Sequence, residues 1–293
     1  MTPNVLVNSL PKSGTHLLEK ALMVLGGAAR ENGRTVLERA TDKIGLTPPP
    51  FLDRRTAGRW GRLRGYGNRD HRAHPTDVPV GVFSPYFVPR LTFENWLQNR
   101  PLTSFGKAHV PFSQCAMEAF DATETKAITI LRDPRAVAAS MIPYVLDARN
   151  WNHYLRPFYE TLTEDERVDF SIHGGYANPP GLPVKSLNDA FESVLNWDQH
   201  VGTLIIKFED LVGPQGGGTI DAQTACFQAI AAHLDVHMTD DLWAKVGQVF
   251  DPSSPTFRGG RIDGWRDRLT TSQIARIEAS LDPALIRRAG YAE

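Results

Sequence analysis

The stretch NSLPKSGTHLLEKAL, residues 8–22, joins a short apolar run to a helical pattern through a polar turn. The apolar run ahead of the turn predicts a strand over 4–8, and the apolar residues after it share one face of a helix over 15–26. The pair Gly26-Gly27 is typical of a helix end. Strand, turn and helix in this order predict the first unit of an α/β fold.

The turn SLPKSGT is suited to hold a phosphate or a sulfate. Ligands of α/β folds bind at the carboxyl ends of the strands, where this turn lies. Ser13, Gly14 and Thr15 would begin the helix, whose free backbone N–H groups and dipole favour an anion. Lys12 adds a charge two residues before Gly14, whereas the Walker-type loop G-x-x-x-x-G-K-[ST] places its lysine just before the helix. The turn therefore predicts a different anion loop, and a capped turn with a surface lysine is the alternative.

The composition restricts the class of protein. A chain of 293 residues that are 41% hydrophobic can bury a substantial core, and its formal net charge of -1 gives no reason to expect nucleic-acid binding. The two cysteines, Cys115 and Cys226, suit a reducing compartment better than a disulfide scaffold or a zinc site. The N-terminus lacks the features of a signal peptide, and no stretch has the apolar length of a membrane span. We therefore expect a soluble, cytoplasmic protein.

Short apolar strands alternate with helical patterns along the chain. AITILR (127–132) and TLIIKF (203–208) read as buried strands. A helical pattern follows the first of them, with Asp133 as its N-cap and Pro134 at its first position. This alternation predicts an α/β fold with a central parallel sheet and helices on both faces.

Two long stretches interrupt the alternation. Residues 47–80 are rich in Pro, Gly and Arg, and residues 148–186 are polar with scattered aromatic residues. Each is long for a connection, so each reads as an active-site lid or a partly disordered segment. GPQGGG (213–218) lacks the context of a dinucleotide-binding motif and reads as a flexible loop. The simplest organisation is a single domain over 1–293 with two irregular insertions.

Three further segments carry residues suited to an anion-binding site. KAHVP (107–111) has a histidine at a predicted strand end, LRDPRAVAAS (131–140) has an arginine at another, and FRGGRIDGWRDRLT (257–270) has a glycine pair between arginines. Together with PKSGT (11–15), they resemble, in order, the motifs of the sulfotransferases that use 3′-phosphoadenosine 5′-phosphosulfate (PAPS). The resemblance spans residues 11–270 and implies a P-loop-NTPase-like three-layer α/β/α fold. It also implies metal-independent transfer of a sulfuryl group to a hydroxyl, with an amine as the second choice.

The resemblance implies roles for three catalytic residues. His109 would be the general base, because an imidazole near neutral pH can accept the proton of the attacking hydroxyl. Lys12 would stabilise the negative charge that grows on the leaving phosphate oxygen. Lys107 would be a second cation there, or simply a solvated lysine. Only the local match selects His109 among the nine histidines of the chain.

The donor-binding residues implied by the resemblance come mainly from the same segments. Arg132 and Ser140 would bind the 3′-phosphate, which distinguishes the donor from ATP, and a local salt bridge with Asp133 is the alternative for Arg132. Arg135 is expected at the surface. The full expected set is Pro11, Lys12, Ser13, Gly14, Thr15, His16, Leu17, Arg132, Ser140, Phe208, Phe257, Arg258, Gly259 and Gly260.

The sequence departs from the family pattern at three places. Gly259 stands where relatives usually carry a lysine, and Arg261 could replace that charge. The usual Gly-Asp-Trp is inverted to Asp263-Gly264-Trp265. Leu17 stands where many relatives carry a tryptophan that stacks on adenine. Phe208 is the candidate for that stacking, with core packing as the alternative.

The sequence says least about the acceptor. Seven arginines in 54–72, with Trp60 and Tyr66 between them, could recruit an anionic acceptor or belong to a solvated loop. Tyr86 and Tyr144, which lie near motif ends, are the candidates for an acceptor pocket. We expect a small-molecule or glycan acceptor with a hydroxyl and no nucleic-acid partner.

Two other functions are open at this stage. A P-loop kinase or NTPase is disfavoured by the position of Lys12 and by the lack of an acidic strand end for Mg²⁺. A nucleotide-binding protein without catalysis is the second alternative, and His109 is the residue that separates it from an enzyme.

Overall fold

A parallel β-sheet forms the centre of the protein in the computed structural model, which describes residues 4–29, 35–44, 46–65, 74–99, 104–251 and 259–291. The strands are β1 (Val5–Ser9), β2 (Ala28–Ala29), β3 (Phe51–Leu52), β4 (Val78–Val80), β5 (Tyr86–Val88), β6 (Ser104–Ala108), β7 (Lys126–Leu131), β8 (Gly175–Ala177), β9 (Leu182–Val184) and β10 (Thr203–Lys207). The α-helices are α1 (Thr15–Val24), α2 (Val36–Lys43), α3 (Arg54–Leu63), α4 (Arg90–Gln98), α5 (Gln114–Ala122), α6 (Pro134–Leu146), α7 (Arg156–Tyr159), α8 (Glu164–His173), α9 (Leu187–Leu195), α10 (Phe208–Leu211), α11 (Ile220–His233), α12 (Asp240–Trp243), α13 (Thr271–Ser280) and α14 (Pro283–Arg288). Single-turn helices lie at Ala148–Asn150, Asn196–Gln199, Pro214–Gly216 and Val246–Val249.

The strand β1 lies in the middle of the sheet. It pairs in parallel with β6 on one side and with β7 on the other, and β10 pairs in parallel with β7. The short strands β2 and β3 both pair in parallel with β6. Because all these strands run in one direction, their carboxyl ends meet at a single edge of the sheet. The predicted parallel sheet is confirmed.

Side chains of β1 alternate between two buried layers. Val5 and Val7 pack with Leu22 of α1 and with residues of α11. Leu6 points to the other face, where Phe120 of α5 and residues of α3 and α4 cover the sheet. A strand buried on both faces reads as a continuous apolar run, as this one does. The result is the predicted three-layer α/β/α arrangement.

The anion loop lies between the two elements that the sequence predicts around it. The strand predicted over 4–8 is β1, and the helix predicted over 15–26 is α1, which begins at Thr15 and ends at Val24. Gly26, with φ +86°, follows the end of the helix. None of the helices in the described part of the chain is long and apolar enough to cross a bilayer.

Both stretches that we expected to be irregular contain regular structure. The first includes α3, and the second includes α7, α8 and a hairpin of β8 and β9. Reciprocal capping boxes stabilise α3 through Asp53 and Thr56 and α8 through Thr163 and Glu166. The expectation was wrong because these elements are short and capped by polar residues, so apolar periodicity barely marks them. The organisation of the chain as one domain stays a prediction.

Candidate active site

A cavity of about 440 Å³ opens at the carboxyl edge of the sheet. The turns after β1, β3, β6, β7 and β10 all contribute to its wall, together with α6 and the segment that precedes α13. The four sequence motifs therefore meet at one cavity, although Phe257 and Arg258 lie outside the described residues. The predicted site residues that line it are Pro11, Lys12, Gly14, Thr15, His16, Leu17, Lys107, His109, Arg132, Ser140, Tyr144, Phe208, Gly259 and Gly260.

The anion loop requires its glycine. Gly14 has φ +99° and precedes α1 without a side-chain cap, so no capping side chain competes with a ligand for the backbone N–H groups at the start of the helix. A Cβ at Gly14 would lie 2.7 Å from Phe208 Cδ2, which excludes a larger residue. Ser13 is fully buried, and its hydroxyl has no hydrogen-bond partner among the described residues. A buried unpartnered hydroxyl in this position fits a loop that accepts an anion.

Lys12 connects the anion loop to α6 through a contact with Tyr144. Its backbone has φ +73°, an uncommon conformation for a residue with a Cβ. Its Nζ lies 4.0 Å from the centroid of the Tyr144 ring, a cation–π contact. The loop therefore holds its cation against the ring of Tyr144 in α6.

His109 follows β6 and is held by its backbone and by its ring. Its N–H donates to Leu52 O at 3.0 Å, and its carbonyl accepts from Gly81 N–H at 2.6 Å. The ring Nδ1 lies 2.8 Å from Ser9 O, and the ring meets Phe51 edge to face. Because a backbone carbonyl can only accept, Nδ1 carries the proton and Nε2 keeps a lone pair.

The charge state of His109 suits a proton acceptor. Burial lowers its pKa from the ordinary 6.5, and this effect outweighs the opposing influence of the Asp53 carboxylate and the Ser9 carbonyl. The nearby charges of His16 and Lys12 act in the same direction as burial. The imidazole is therefore neutral at neutral pH.

Lys107 is neither solvated nor free. Its side chain is buried, and its Nζ lies 3.1 Å from Glu19 Oε1. His16, which is exposed, also contacts Glu19 through Nδ1 at 3.1 Å. Burial opposes the ionisation of Glu19, but the contacts with His16 and Lys107 together outweigh it and lower the pKa of the carboxyl. The expectation of a solvated lysine was wrong, because Glu19 of α1 approaches from the neighbouring layer.

Arg132 bridges two of the motifs. Its Nη2 donates to Arg261 O at 3.0 Å and its Nη1 donates to Lys12 O at 3.4 Å, while its Nε is buried with no partner among the described residues. The guanidinium lies 4.2 Å from the centroid of the Phe208 ring. Because Gly14 closely approaches the same ring, Phe208 is almost fully buried. This placement favours core packing over adenine stacking for Phe208.

Trp265 anchors the segment that closes the cavity. Its side chain is buried against Ala136 and Ala139 of α6. The guanidinium groups of Arg135 and Arg266 lie 4.5 Å and 4.2 Å from its ring centroid. The segment thus keeps its tryptophan as an anchor despite the inverted motif.

Arg135 does not lie at the surface, where the sequence analysis expected it. It pairs with Asp133 at 2.9 Å and with Glu278 at 2.7 Å, and its side chain is largely buried. Asp133 also caps α6 by accepting from the backbone N–H of Arg135. The surface expectation was wrong because α13, which carries Glu278, packs on α6.

The GPQGGG loop supports the closing segment and is not merely a flexible connection. Ile262 N–H donates to Gly216 O at 3.0 Å. A Cβ at Gly216 would lie 2.3 Å from Val212 Cγ2 and 2.6 Å from Gly260 O, so the two backbones approach closely only because the residue is glycine. The run of glycines marks this loop in the sequence. The residues that it contacts, Gly260 and Ile262, lie far along the chain, so the sequence does not reveal the contact.

Tyr86 is not among the residues that line the cavity. It is 2% exposed, and a Cβ at Gly61 would lie only 2.3 Å from its hydroxyl, so the ring lies under α3. The expectation for Tyr86 was wrong because β5 turns this side chain into the core. Tyr144 does line the cavity.

Sequence reasoning missed Asp53 and His153, which also line the cavity. The ring of His153 stacks on Tyr154 with centroids 4.8 Å apart and meets Tyr144 edge to face. Its Nδ1 accepts from Leu155 N–H at 3.3 Å, so the neutral ring carries its proton on Nε2. Burial lowers the pKa of His153 to about 4. Asp53 is the N-cap of α3 and His153 lies in the turn before α7, and no sequence motif indicates either position.

The start of the arginine-rich stretch is ordered. Arg54 donates to the carbonyls of Ser84 at 3.1 Å and Pro85 at 2.9 Å, and Arg55 donates to Asn152 Oδ1 at 2.9 Å. Both arginines line the cavity, whereas residues 66–73 lie outside the described part. No cluster of three or more His, Cys, Asp or Glu side chains in the described ranges could hold a metal ion.

Comparisons with known proteins agree with this geometry. A family model described as the sulfotransferase domain matches residues 2–211. No curated protein matches the chain in sequence. The crystal structure of the mouse sulfotransferase SULT7A1 complexed with PAP is similar, with a TM-score of 0.57, 16% identity, and 99% of this chain and 89% of that chain covered.

A second solved structure has a similar fold. It is retinol dehydratase in complex with androsterone and the inactive cofactor PAP, with a TM-score of 0.51, 15% identity, and 96% of this chain and 80% of that chain covered. These likenesses confirm the predicted P-loop-NTPase-like fold. Because the family model covers most of its length, the chain belongs to the sulfotransferase domain family.

Proposed function

We propose that the protein transfers a sulfuryl group from PAPS to a hydroxyl group of a small-molecule acceptor. One observation carries this proposal: the anion loop, the Arg132 guanidinium and the neutral base His109 line the same cavity. Family membership supports the reaction class, and the presence of PAP in two solved relatives supports the nucleotide.

The cavity residues fit a nucleotide with phosphates at both the 5′ and 3′ positions. The 5′-phosphosulfate would bind at the first turn of α1, with the Thr15 hydroxyl and the Lys12 ammonium as further partners, since both residues line the cavity. The 3′-phosphate would bind Arg132 and Ser140, with backbone N–H groups near Gly259 as a small anion nest. The unpartnered Nε of Arg132 is consistent with this role, since a buried guanidinium donor requires an acceptor.

We assign the catalytic roles to His109 and Lys12, which both line the cavity. His109 would accept the proton of the acceptor hydroxyl on Nε2 while the hydroxyl oxygen attacks sulfur. Lys12 would stabilise the charge on the departing phosphate oxygen, from its position against the Tyr144 ring. Lys107 would act through Glu19 rather than on the leaving oxygen, since the two side chains form a buried ion pair. The donor supplies the activated sulfuryl group, and in-line positioning supplies most of the acceleration.

The residues around β7 argue against a magnesium-dependent kinase or NTPase. Asp133 is the carboxylate that follows this strand, and it is already occupied by the backbone and guanidinium of Arg135. The acceptor side is instead lined by aromatic rings, including Phe83, Tyr144 and Tyr154. This lining favours a small organic acceptor, in line with the androsterone bound to one solved relative.

A transfer assay tests the proposal. Wild-type protein, sulfur-labelled PAPS and a metabolite extract should give a labelled product without added metal. His109→Ala should lower transfer by about 10²–10⁴-fold and leave PAP affinity within about twofold, because the imidazole acts on the proton. His173→Ala, at the exposed end of α8, is the matched control and should retain full activity. Transfer that survives in His109→Ala would contradict the assignment of the base.

A further inference from the structure

Ser9 connects the anion loop to the proposed base. It is the last residue of β1 and is fully buried. Its Oγ lies 2.8 Å from Thr15 Oγ1 and 3.1 Å from His109 Nδ1, and its carbonyl oxygen lies 2.8 Å from the same Nδ1. A continuous chain of polar atoms therefore runs from the first turn of α1 to the far side of the imidazole.

The protons in this chain have one arrangement that satisfies every contact. Because Nδ1–H donates toward the Ser9 carbonyl, the Ser9 hydroxyl can only accept from that nitrogen. Its own proton is then donated to Thr15 Oγ1. The Thr15 proton is left directed away from Ser9, at the start of α1, where a phosphate oxygen can accept it. In the reverse arrangement the Ser9 proton would face the Nδ1 proton.

We propose that Ser9 is a positioning residue that couples occupancy of the 5′-phosphate site, through the Thr15 hydroxyl, to the proton-accepting form of His109. This inference rests on the proposed function. An anion at the loop accepts the Thr15 proton and so selects this arrangement over the reverse one, in which Thr15 donates to Ser9. The Ser9 proton then stays on Thr15 Oγ1, and a lone pair of Ser9 Oγ faces Nδ1–H. The base is thereby prepared when the donor is present.

No proton moves along the chain in this scheme. His109 Nε2 takes the proton of the acceptor hydroxyl while the acceptor oxygen bonds to sulfur. The bond between sulfur and the 5′-phosphate oxygen of the donor breaks, PAP leaves with that electron pair, and Nδ1 keeps its own proton. The imidazolium then donates a charge-assisted hydrogen bond to both oxygens of Ser9. Since a hydrogen bond to the charged form favours that form, donor binding should raise the pKa of His109.

The other charges near His109 must be separated from this effect. Asp53, at the start of α3, raises the pKa of His109, whereas Lys12 of the loop and His16 of α1 lower it. The phosphates of a bound nucleotide would also raise it through space. That through-space contribution is kept in Ser9→Ala, so the difference between wild type and this variant isolates the hydroxyl.

The test is a magnetic-resonance titration of isotope-labelled histidine in the full chain, with and without saturating PAP. In wild type, PAP should raise the pKa of His109 by about one unit more than in Ser9→Ala, whose kcat should also fall by about 10-fold. Ser9→Thr keeps the hydroxyl and should restore most of the coupling. Thr15→Val breaks the other end of the chain and should lose the coupling even if Ser9→Ala folds poorly. Ser193→Ala, at a serine whose hydroxyl donates to Ala190 O, is the control.

The outcomes distinguish this inference from the proposed function. If PAP binds and raises the pKa of His109 equally in wild type, Ser9→Ala and Thr15→Val, the coupling through Ser9 is overturned while the proposed function stands. If PAP does not bind wild type at all, the proposed function fails and the coupling fails with it. A larger increase in wild type and Ser9→Thr than in Ser9→Ala supports the coupling.

Discussion

The Nζ of Lys12 lies 4.0 Å from the centroid of the Tyr144 ring. The contact joins the loop after β1 to the far end of α6, which follows β7. It holds the lysine side chain between the anion loop and an aromatic ring, and both residues line the cavity. A cation held on a ring face keeps its charge available for an anion.

Removal of the Tyr144 ring should therefore impair catalysis through Lys12. We expect Tyr144→Ala to lower kcat by about 10-fold, since a cation–π contact of this kind is worth about 1–2 kcal/mol. Tyr144→Phe keeps the ring and should remain within about threefold of wild type. Steady-state kinetics with saturating donor measure both. Equal losses in the two variants would assign the effect to the hydroxyl rather than to the ring.

Arg132 should be selective for the 3′-phosphate. We expect Arg132→Ala to weaken PAP binding by about 100-fold and binding of the 3′-dephospho analogue by less than about threefold, because a guanidinium–phosphate contact is worth several kcal/mol. Titration calorimetry measures both affinities. Arg149→Ala, an exposed arginine that pairs with Asp147, is the control. Equal losses for the two nucleotides would remove Arg132 from the 3′-phosphate site.

Gly216 should affect donor binding although it does not line the cavity. In Gly216→Ala the new methyl would collide with Val212 and with the carbonyl of Gly260, so we expect PAP affinity to fall by about 10-fold and stability by about 1–3 kcal/mol. Gly247→Ala is the matched control, since no atom lies within 4 Å of its added Cβ and its backbone has no positive φ. Thermal unfolding and PAP titration measure the two effects. Unchanged PAP affinity in a folded Gly216→Ala would separate the GPQGGG loop from the site.

His153 should make stability depend on pH. Its pKa is about 4 in the folded protein against an ordinary 6.5, because burial disfavours the imidazolium. Above pH 6.5 the imidazole is neutral in both the folded and the unfolded protein, so its burial does not make the free energy of unfolding depend on pH. Between that value and the folded pKa the unfolded chain binds the extra proton, so stability falls as pH falls, by about 2–3 kcal/mol over the whole interval.

The variant His153→Asn isolates this contribution. Its side-chain oxygen can still accept from Leu155 N–H, which Nδ1 does in the wild type. Urea unfolding at neutral pH and near pH 4 should show a smaller loss of stability in the variant. The same loss in both proteins would assign the pH dependence to other groups.

Most residues of the candidate site could be predicted from the sequence. Lys12, Gly14, His109 and Arg132 each lie at the end of a strand of one parallel sheet, and a parallel sheet brings such ends to one edge. Together with this edge, the ordered resemblance of the four motifs to those of the sulfotransferases was enough to predict that these residues share a site. The Ser9 hydroxyl was not predicted, because its two contacts depend on how the first turn of α1 faces the end of β6.

Contacts between distant elements could not be predicted. Glu19 pairs with Lys107, and Glu278 pairs with Arg135, across large separations in the chain. Tyr86 illustrates the same difficulty, since a tyrosine near a motif end reads equally as pocket or core. Its burial follows from the packing of α3 on β5, which neither element indicates alone.

The relative affinity of the wild-type protein for PAP and for ATP tests the central claim most directly. Titration calorimetry without magnesium measures both. Because Arg132 and the segment around Gly259 are assigned to a 3′-phosphate that ATP lacks, PAP should bind at least about 10-fold more tightly. Tighter binding of ATP would contradict the assignment of PAPS as the donor.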